Sequence, residues 1–356
     1  MANPRALLQT LPVPPLPREH TYHPAWWVPG PHAQTLWGKF ARRAPSVPTR
    51  IERWTTPDND FVDVLRLDAP AMRPRLFLLH GLEGTIRSHY VGGLMRMAYE
   101  RNWGADMLIF RSCGDEPNHA ARFYHSGETG DAALALDHVL EEFPDAPILL
   151  CGVSLGGNVL LKLLGECGDI LSDRIRAAAV VSVPFDLERG SRHISRGFSR
   201  IYERHFLRTL RKKAEAKLER FPGLFDRDAM LRAETLYDFD DVVTAPVHGF
   251  RGAHDYYTRS SSLRFLGRIR RPTLLLSAMD DPFLPSDVLE QVADIARRNR
   301  FLTTQFSKRG GHVGFVGGSP WNPVYYAEQR VGDFLAEWSS HPIEQQRRPS
   351  RVPLPR

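Results

Sequence analysis

Residues 147–165 constrain this chain most. An apolar run, Pro147-Ile148-Leu149-Leu150-Cys151, passes without a spacer into Gly152-Val153-Ser154-Leu155-Gly156, and a second apolar segment follows to residue 165. A buried strand must therefore turn directly into a helix, with a serine at the corner. Glycines at 152 and 156 suit such a corner, because neighbouring chains crowd its flanks and leave no room for a Cβ. The five-residue pattern alone would arise about 0.1 times per chain by chance, so its context carries the inference. A serine placed there stands clear of the sheet at a helix N-terminus, where the dipole favours developing negative charge.

Around that corner the sequence keeps a regular beat. Segments 75–80, 105–110, 147–152, 175–183 and 272–277 read as short buried strands, with another over 301–307. Helical patterns fill 88–101, 128–142, 155–165, 287–299 and 324–338. Apolar strands alternating with helices predict an α/β fold with a mostly parallel, doubly wound sheet covered on both faces. Two alternating runs between 51 and 67 flank Thr56-Pro57-Asp58-Asn59-Asp60 and predict a hairpin. The beat stops between 186 and 271, where the chain is helical, Arg-rich and poor in strands. The expected organisation is a core over 51–185 and 272–340, interrupted by a helical basic cap over 186–271. Residues 1–50 carry Trp26, Trp27 and Trp37 among prolines and are expected to dock on the core as an extended arm. Residues 341–356 are expected to be a polar, disordered tail.

A serine hydroxyl is a weak nucleophile until a base removes its proton. On this architecture the base lies in a late loop and an orienting acid precedes it, in chain order Ser, Asp, His. His312 stands in Lys308-Arg309-Gly310-Gly311-His312-Val313-Gly314-Phe315, where Gly310 and Gly311 leave room for the ring to turn toward Ser154. The acid is Asp281 or Asp280, just past 272–277. Asp281 is preferred because Pro285 follows it in an Asp-x-x-x-Pro turn, and Asp186 is an outside alternative. Two backbone donors for an oxyanion would be the N–H of Leu155 and that of Leu82, within His80-Gly81-Leu82-Glu83-Gly84. His80, Gly81 and Glu83 would then touch substrate. Glu116, Pro117 and Asn118, past another strand end, lie where ligands bind in open α/β sheets.

The chain resembles the α/β-hydrolase superfamily, and within it the YheT-like esterases, related to plant embryogenesis-associated proteins and animal membrane-anchored lipases. The likeness spans roughly residues 20–340. It rests on Pro29-Gly30-Pro31-His32-Ala33-Gln34-Thr35, His80-Gly81-Leu82-Glu83-Gly84, Glu116-Pro117-Asn118, Gly152-Val153-Ser154-Leu155-Gly156-Gly157-Asn158, Val183-Pro184-Phe185-Asp186, Asp280-Asp281-Pro282-Phe283 and Gly311-His312. The resemblance implies an α/β-hydrolase fold and a charge-relay triad of Ser154, Asp281 and His312. It also implies hydrolysis of carboxylic esters: short-chain esters, acylglycerols or phospholipid acyl chains. Arg111-Ser112-Cys113-Gly114 departs from the Arg-Gly-Cys-Ser-Gly of that pattern. Acyl transfer and thioester cleavage would use the same triad, and a catalytically silent lipid- or partner-binding module would keep the same fold. The chemistry requires neither cofactor nor metal.

The charge pattern bears on partners. The formal net charge is +6. Arg192, Arg196, Arg200, Arg204, Arg208 and Lys212 recur every four residues, with Ile194, Phe198, Ile201, Phe206, Leu210 and Leu218 forming a counter-row. That predicts an amphipathic basic helix, its apolar side over the site and its charged side toward solvent or an anionic membrane surface. No nucleic-acid motif accompanies the charge, so nucleic acid is not an expected partner. No apolar run reaches the ~20 residues of a membrane span. The start of the chain lacks a signal peptide's apolar region. Cys113, Cys151 and Cys167 form no metal or disulfide pattern, which suits a cytoplasmic setting.

Overall fold

The computed structural model describes residues 21–43 and 45–339; the proline run at 12–17 and the tail 341–356 lie outside them. Helix α1 (Gly30–Ala41) precedes a hairpin of β1 (Thr49–Thr55) and β2 (Phe61–Leu67). Then come β3 (Arg75–Leu79), α2 (His89–Glu100), β4 (Gly104–Ile109), α3 (Gly130–Glu142), β5 (Ile148–Val153), α4 (Leu155–Cys167) and β6 (Ile175–Val181). Six α-helices follow: α5 (Leu187–Ile194), α6 (Arg200–Arg220), α7 (Arg227–Arg232), α8 (Leu236–Phe239), α9 (Ala245–Val247) and α10 (Ala253–Ser260). The core resumes with β7 (Thr273–Ala278), α11 (Ser286–Arg298) and β8 (Leu302–Ser307). A ribbon of β9 (Val316–Ser319) and β10 (Asn322–Tyr325) then leads into α12 (Tyr326–Ser339).

Eight strands form one sheet in the order β1-β2-β4-β3-β5-β6-β7-β8. The β1–β2 and β2–β4 pairs are antiparallel, and every pair from β4 to β8 is parallel. The central strands β3, β5 and β7 are buried at every position. Their unbroken apolar sequences suit a sheet covered on both faces, here by the helix pairs α2 with α12 and α3 with α4. The edge strand β8, Leu-Thr-Thr-Gln-Phe-Ser, buries only Leu302. Parallel strands end on the same side of a sheet. The loops after β3, β5, β7 and β8 therefore bring together residues 80–84, Ser154, Asp281 and His312.

Two expectations change. The arm is helical over Gly30–Ala41 rather than extended. Pro29 is its N-cap and Pro31 lies in its first turn, where a missing N–H costs nothing. Buried Gln34 ties the arm down: its Nε2 donates to the carbonyls of Val28 and Val316, and its Oε1 accepts from Val316 N–H at 2.7 Å. Trp27 donates to Gly318 O, whereas Trp26 is 77% exposed. The basic row of the cap is split over two helices, because Gly197 takes φ +52 between α5 and α6. Its six cations are all exposed. The cap has its own apolar cluster, centred on Leu207, Met230, Phe239 and Val243. Among the described residues, no helix is long and apolar enough to cross a membrane. All three cysteines are free and buried.

Candidate active site

Ser154 sits at the corner between β5 and α4 with φ 53° and ψ −120°. A non-glycine residue in that region stores roughly 1–3 kcal/mol of backbone strain. The corner is pinned by Ser154 N–H donating to Val181 O at 2.8 Å and by Asn158 N–H donating to Ser154 O at 3.1 Å. The flanking glycines are required by contact. A Cβ on Gly156 would lie 2.4 Å from the carbonyl oxygens of Leu79 and His80, and one on Gly152 would lie 2.6 Å from Gly157 Cα.

His312 Nε2 lies 3.0 Å from Ser154 Oγ, and His312 Nδ1 lies 2.8 Å from Asp281 Oδ2. With Nδ1 protonated toward the carboxylate, Nε2 is left to accept the serine proton. The other oxygen of buried Asp281 accepts from Phe283 N–H at 2.8 Å, and the Phe283 ring stacks on the imidazole with centroids 4.1 Å apart. Asp280 instead accepts from Gly311 N–H at 3.0 Å and so holds the loop rather than the ring. Asp186 caps α5 through Arg189 N–H. The backbone N–H of His312 donates to Thr35 Oγ1 at 2.9 Å, so the arm helix α1 steadies the loop. The loop glycines make room for that helix: a Cβ on Gly311 would lie 2.4 Å from Pro31 O, and one on Gly314 would lie 2.4 Å from Gln34 O.

The turn after β3 faces Ser154. A Cβ on Gly81 would meet Ser154 Cβ at 3.2 Å. Gly81 N–H donates to Tyr90 Oη and Glu83 N–H donates to Tyr124 Oη, each at 2.9 Å. Leu82 N–H lies between these two anchored donors. Burial pushes the Tyr90 phenol up to about 12, so it stays protonated. His80 stands behind the cavity wall rather than on it. It is fully buried, with Nε2 accepting from Phe110 N–H and Nδ1 donating to Gly81 O. Burial lowers it to about 4 and keeps it neutral. Glu83 does line the cavity, but its carboxylate is engaged by Tyr124 and by Lys213 of α6.

A cavity of about 690 Å³ opens over Ser154. Leu155, Pro184, Ile194, Phe206 and Leu210 give it an apolar wall, and Asp240, Thr244 and Tyr257 lie along the cap. The residues at 116–118 take no part in it. Glu116 pairs with Arg53 at the surface, and Asn118 is wholly buried beside Asp60 and Lys217. Three features of the structure go beyond the sequence expectations. One is Thr35 on His312. Another is Arg111, buried among Asp58, Asp60 and Asp131. The third is the row Lys213, Lys217 and Arg220 on α6, which reaches core loops at Glu83, Ala120 and Asn118. The spacing of that last row, four and three residues along a helix, was a readable signal.

The family description "alpha/beta hydrolase fold" matches residues 74–318. The chain is similar to the YheT protein of Escherichia coli (strain K12), a provisionally named esterase. The two are 39% identical over 312 residues, which cover 86% of this chain and 90% of YheT. It is also similar to the phospholipase ABHD3 of Mus musculus, 30% identical over 331 residues covering 90% and 79% of the two chains. Among solved structures it is similar in fold to the Pyrococcus furiosus esterase Pf2001, with a TM-score of 0.56, 16% identity, and coverage of 82% and 93%. The chain therefore belongs to the α/β-hydrolase family, among its esterase- and lipase-type members.

Proposed function

We propose that the chain is a serine carboxylic-ester hydrolase acting through an acyl-enzyme. The observation that supports this reading best is the unbroken chain from Asp281 through His312 to Ser154, at 2.8 and 3.0 Å, on the floor of an apolar cavity. Ser154 Oγ attacks the ester carbonyl as His312 Nε2 takes its proton. Asp281 stabilises the imidazolium. The oxyanion is received by the N–H groups of Leu155 and Leu82, each donor being worth a ~10²–10³ factor in rate. His312 then protonates the departing alcohol, and water attacks the acyl-serine with His312 as base. The cavity volume and apolar wall suit a short- to medium-chain acyl ester or an acylglycerol. Hydrolysis of p-nitrophenyl esters of rising chain length tests this. Ser154-dependent turnover with a chain-length optimum is the expected result. A Ser154→Ala variant as active as wild type would remove the reading.

The same reading extends to the lipid surface. Phe198 and Ile201, each about half exposed, lie at the cavity mouth beside the exposed cations Arg200 and Arg204. Apolar side chains ringed by positive charge suit the boundary of an anionic bilayer. Co-sedimentation with phosphatidylglycerol vesicles, weakened in Phe198→Ser and by salt, is the expected result. Equal binding to neutral phosphatidylcholine vesicles would contradict it.

A further inference from the structure

Glu83 occupies an awkward place for its residue type. Gly84 N–H donates to Gly81 O at 2.9 Å, closing a four-residue turn with Leu82 and Glu83 at its centre. Glu83 has φ +54. A turn with positive φ at its third position favours glycine there, so a glutamate carries strain that something must hold in place. Three contacts do so. Glu83 N–H donates to Tyr124 Oη at 2.9 Å, Tyr124 Oη donates back to Glu83 Oε1 at 2.8 Å, and Lys213 Nζ donates to the same Oε1 at 2.7 Å. The ammonium also lies 3.4 Å from Cys113 Sγ and over the Tyr124 ring. Lys213 comes from cap helix α6, whereas the turn and Tyr124 belong to the core.

We propose that Lys213 is a positioning residue for ester hydrolysis: through Glu83 it fixes the turn that presents Leu82 N–H to the oxyanion. The inference rests on the serine-hydrolase reading above. Leu82 N–H shares its peptide plane with Gly81 O, which accepts from Gly84 N–H at 2.9 Å and from His80 Nδ1 at 2.8 Å; the first of these bonds closes the turn through Glu83, so the direction of Leu82 N–H follows the setting of Glu83. A cation on the cap holds that setting, which makes seating of the cap and assembly of the oxyanion site one event. Lys217 and Arg220, one and two turns further along α6, fasten the same helix to Asn118 and Ala120.

The test uses the full chain with a p-nitrophenyl ester. Lys213→Met should lower kcat about 10-fold or more, with KM within about twofold, because an oxyanion contact is made in the transition state only. Glu83→Gln should give a similar loss. The double variant should be no worse than the worse single one, since both break one link. Lys213→Arg should recover most of the rate. The inhibition constant of a trifluoromethyl ketone, whose serine adduct carries the oxyanion, should rise by the factor that kcat/KM loses; a merely structural lysine would not produce that match. Unchanged kcat in both Lys213→Met and Glu83→Gln would overturn the proposal, as would a raised KM at constant kcat. Should Lys213→Met not fold, Glu83→Gln decides alone. Wild-type protein without Ser154-dependent hydrolysis would instead overturn the reading of the site, and the proposal with it.

Discussion

Replacing Thr35 by valine should slow hydrolysis although Thr35 touches none of the reacting atoms. Thr35 Oγ1 accepts from His312 N–H at 2.9 Å and donates to Pro31 O at 2.7 Å. Valine keeps the shape and removes the acceptor, so the loop carrying the imidazole loses a tether. A stranded buried donor costs about 1–3 kcal/mol. Thr35 is only partly buried and lines the cavity, so water can reach the freed N–H and the cost falls to about 1 kcal/mol. If that energy appears in ring placement, kcat/KM falls ~5-fold. The close packing of Gly311 against Pro31 O and of Gly314 against Gln34 O limits how far the loop can drift, which keeps the loss from growing much larger. Steady-state kinetics on a p-nitrophenyl ester measure it. Thr35→Ser, which retains the hydroxyl, should stay within about twofold of wild type. A Thr35→Val enzyme indistinguishable from wild type, or a Thr35→Ser enzyme equally impaired, would refute the tether.

The two adjacent carboxylates should separate in the same assay. Asp281→Asn should lower kcat by ~10³–10⁴ through loss of the imidazolium partner, whereas Asp280→Asn, which disturbs one loop hydrogen bond, should cost no more than about 10-fold; comparable losses would contradict the assignment. Asp240, on the cap side of the cavity, is raised to about 6 by burial, with hydrogen bonds from Thr244 and Tyr257 pulling the other way. Between its ordinary value and about 6, the folded state holds a proton that the unfolded state has released. Stability should therefore fall as pH rises through that window, by at most about 3 kcal/mol. Asp240→Asn cannot titrate, so its stability relative to wild type should rise between about pH 4.5 and pH 7 in urea titrations. A constant difference would show that Asp240 titrates as an ordinary surface acid.

Local pattern made the sheet and the serine corner legible. Residues 147–165 declare a strand, a sharp turn and a helix within one stretch, and the glycines at 152 and 156 are dictated by backbone contacts inside that stretch and with β3. The proximity of His312 to Ser154 followed from chain order and from the shared side on which parallel strands end. The arm's helix is hard to see in a proline-rich sequence because it depends on where the prolines fall: Pro29 and Pro31 lie at its start, where they are tolerated. His80 shares a turn with residues that line the cavity, but its own side chain turns back to bond Phe110 and Gly81, a direction that sequence does not encode locally. Lys213 on Glu83, Thr35 on His312 and Arg111 among three aspartates are pairings across 130, 277 and 20 to 53 residues. Periodicity marks a row on one helix face but not its partner: these contacts join segments distant in sequence, and those of Lys213 and Thr35 exist only once the cap and arm have packed on the core.

On the proposed function, Ser154 is a nucleophile activated by His312. Labelling with a fluorophosphonate, followed by peptide mapping, tests it most directly, since the reagent traps only an activated serine. A single adduct on Ser154 in wild type, formed at least ~100-fold more slowly in His312→Ala, is the predicted result. An adduct elsewhere, none at all, or a His312→Ala rate equal to wild type would contradict it.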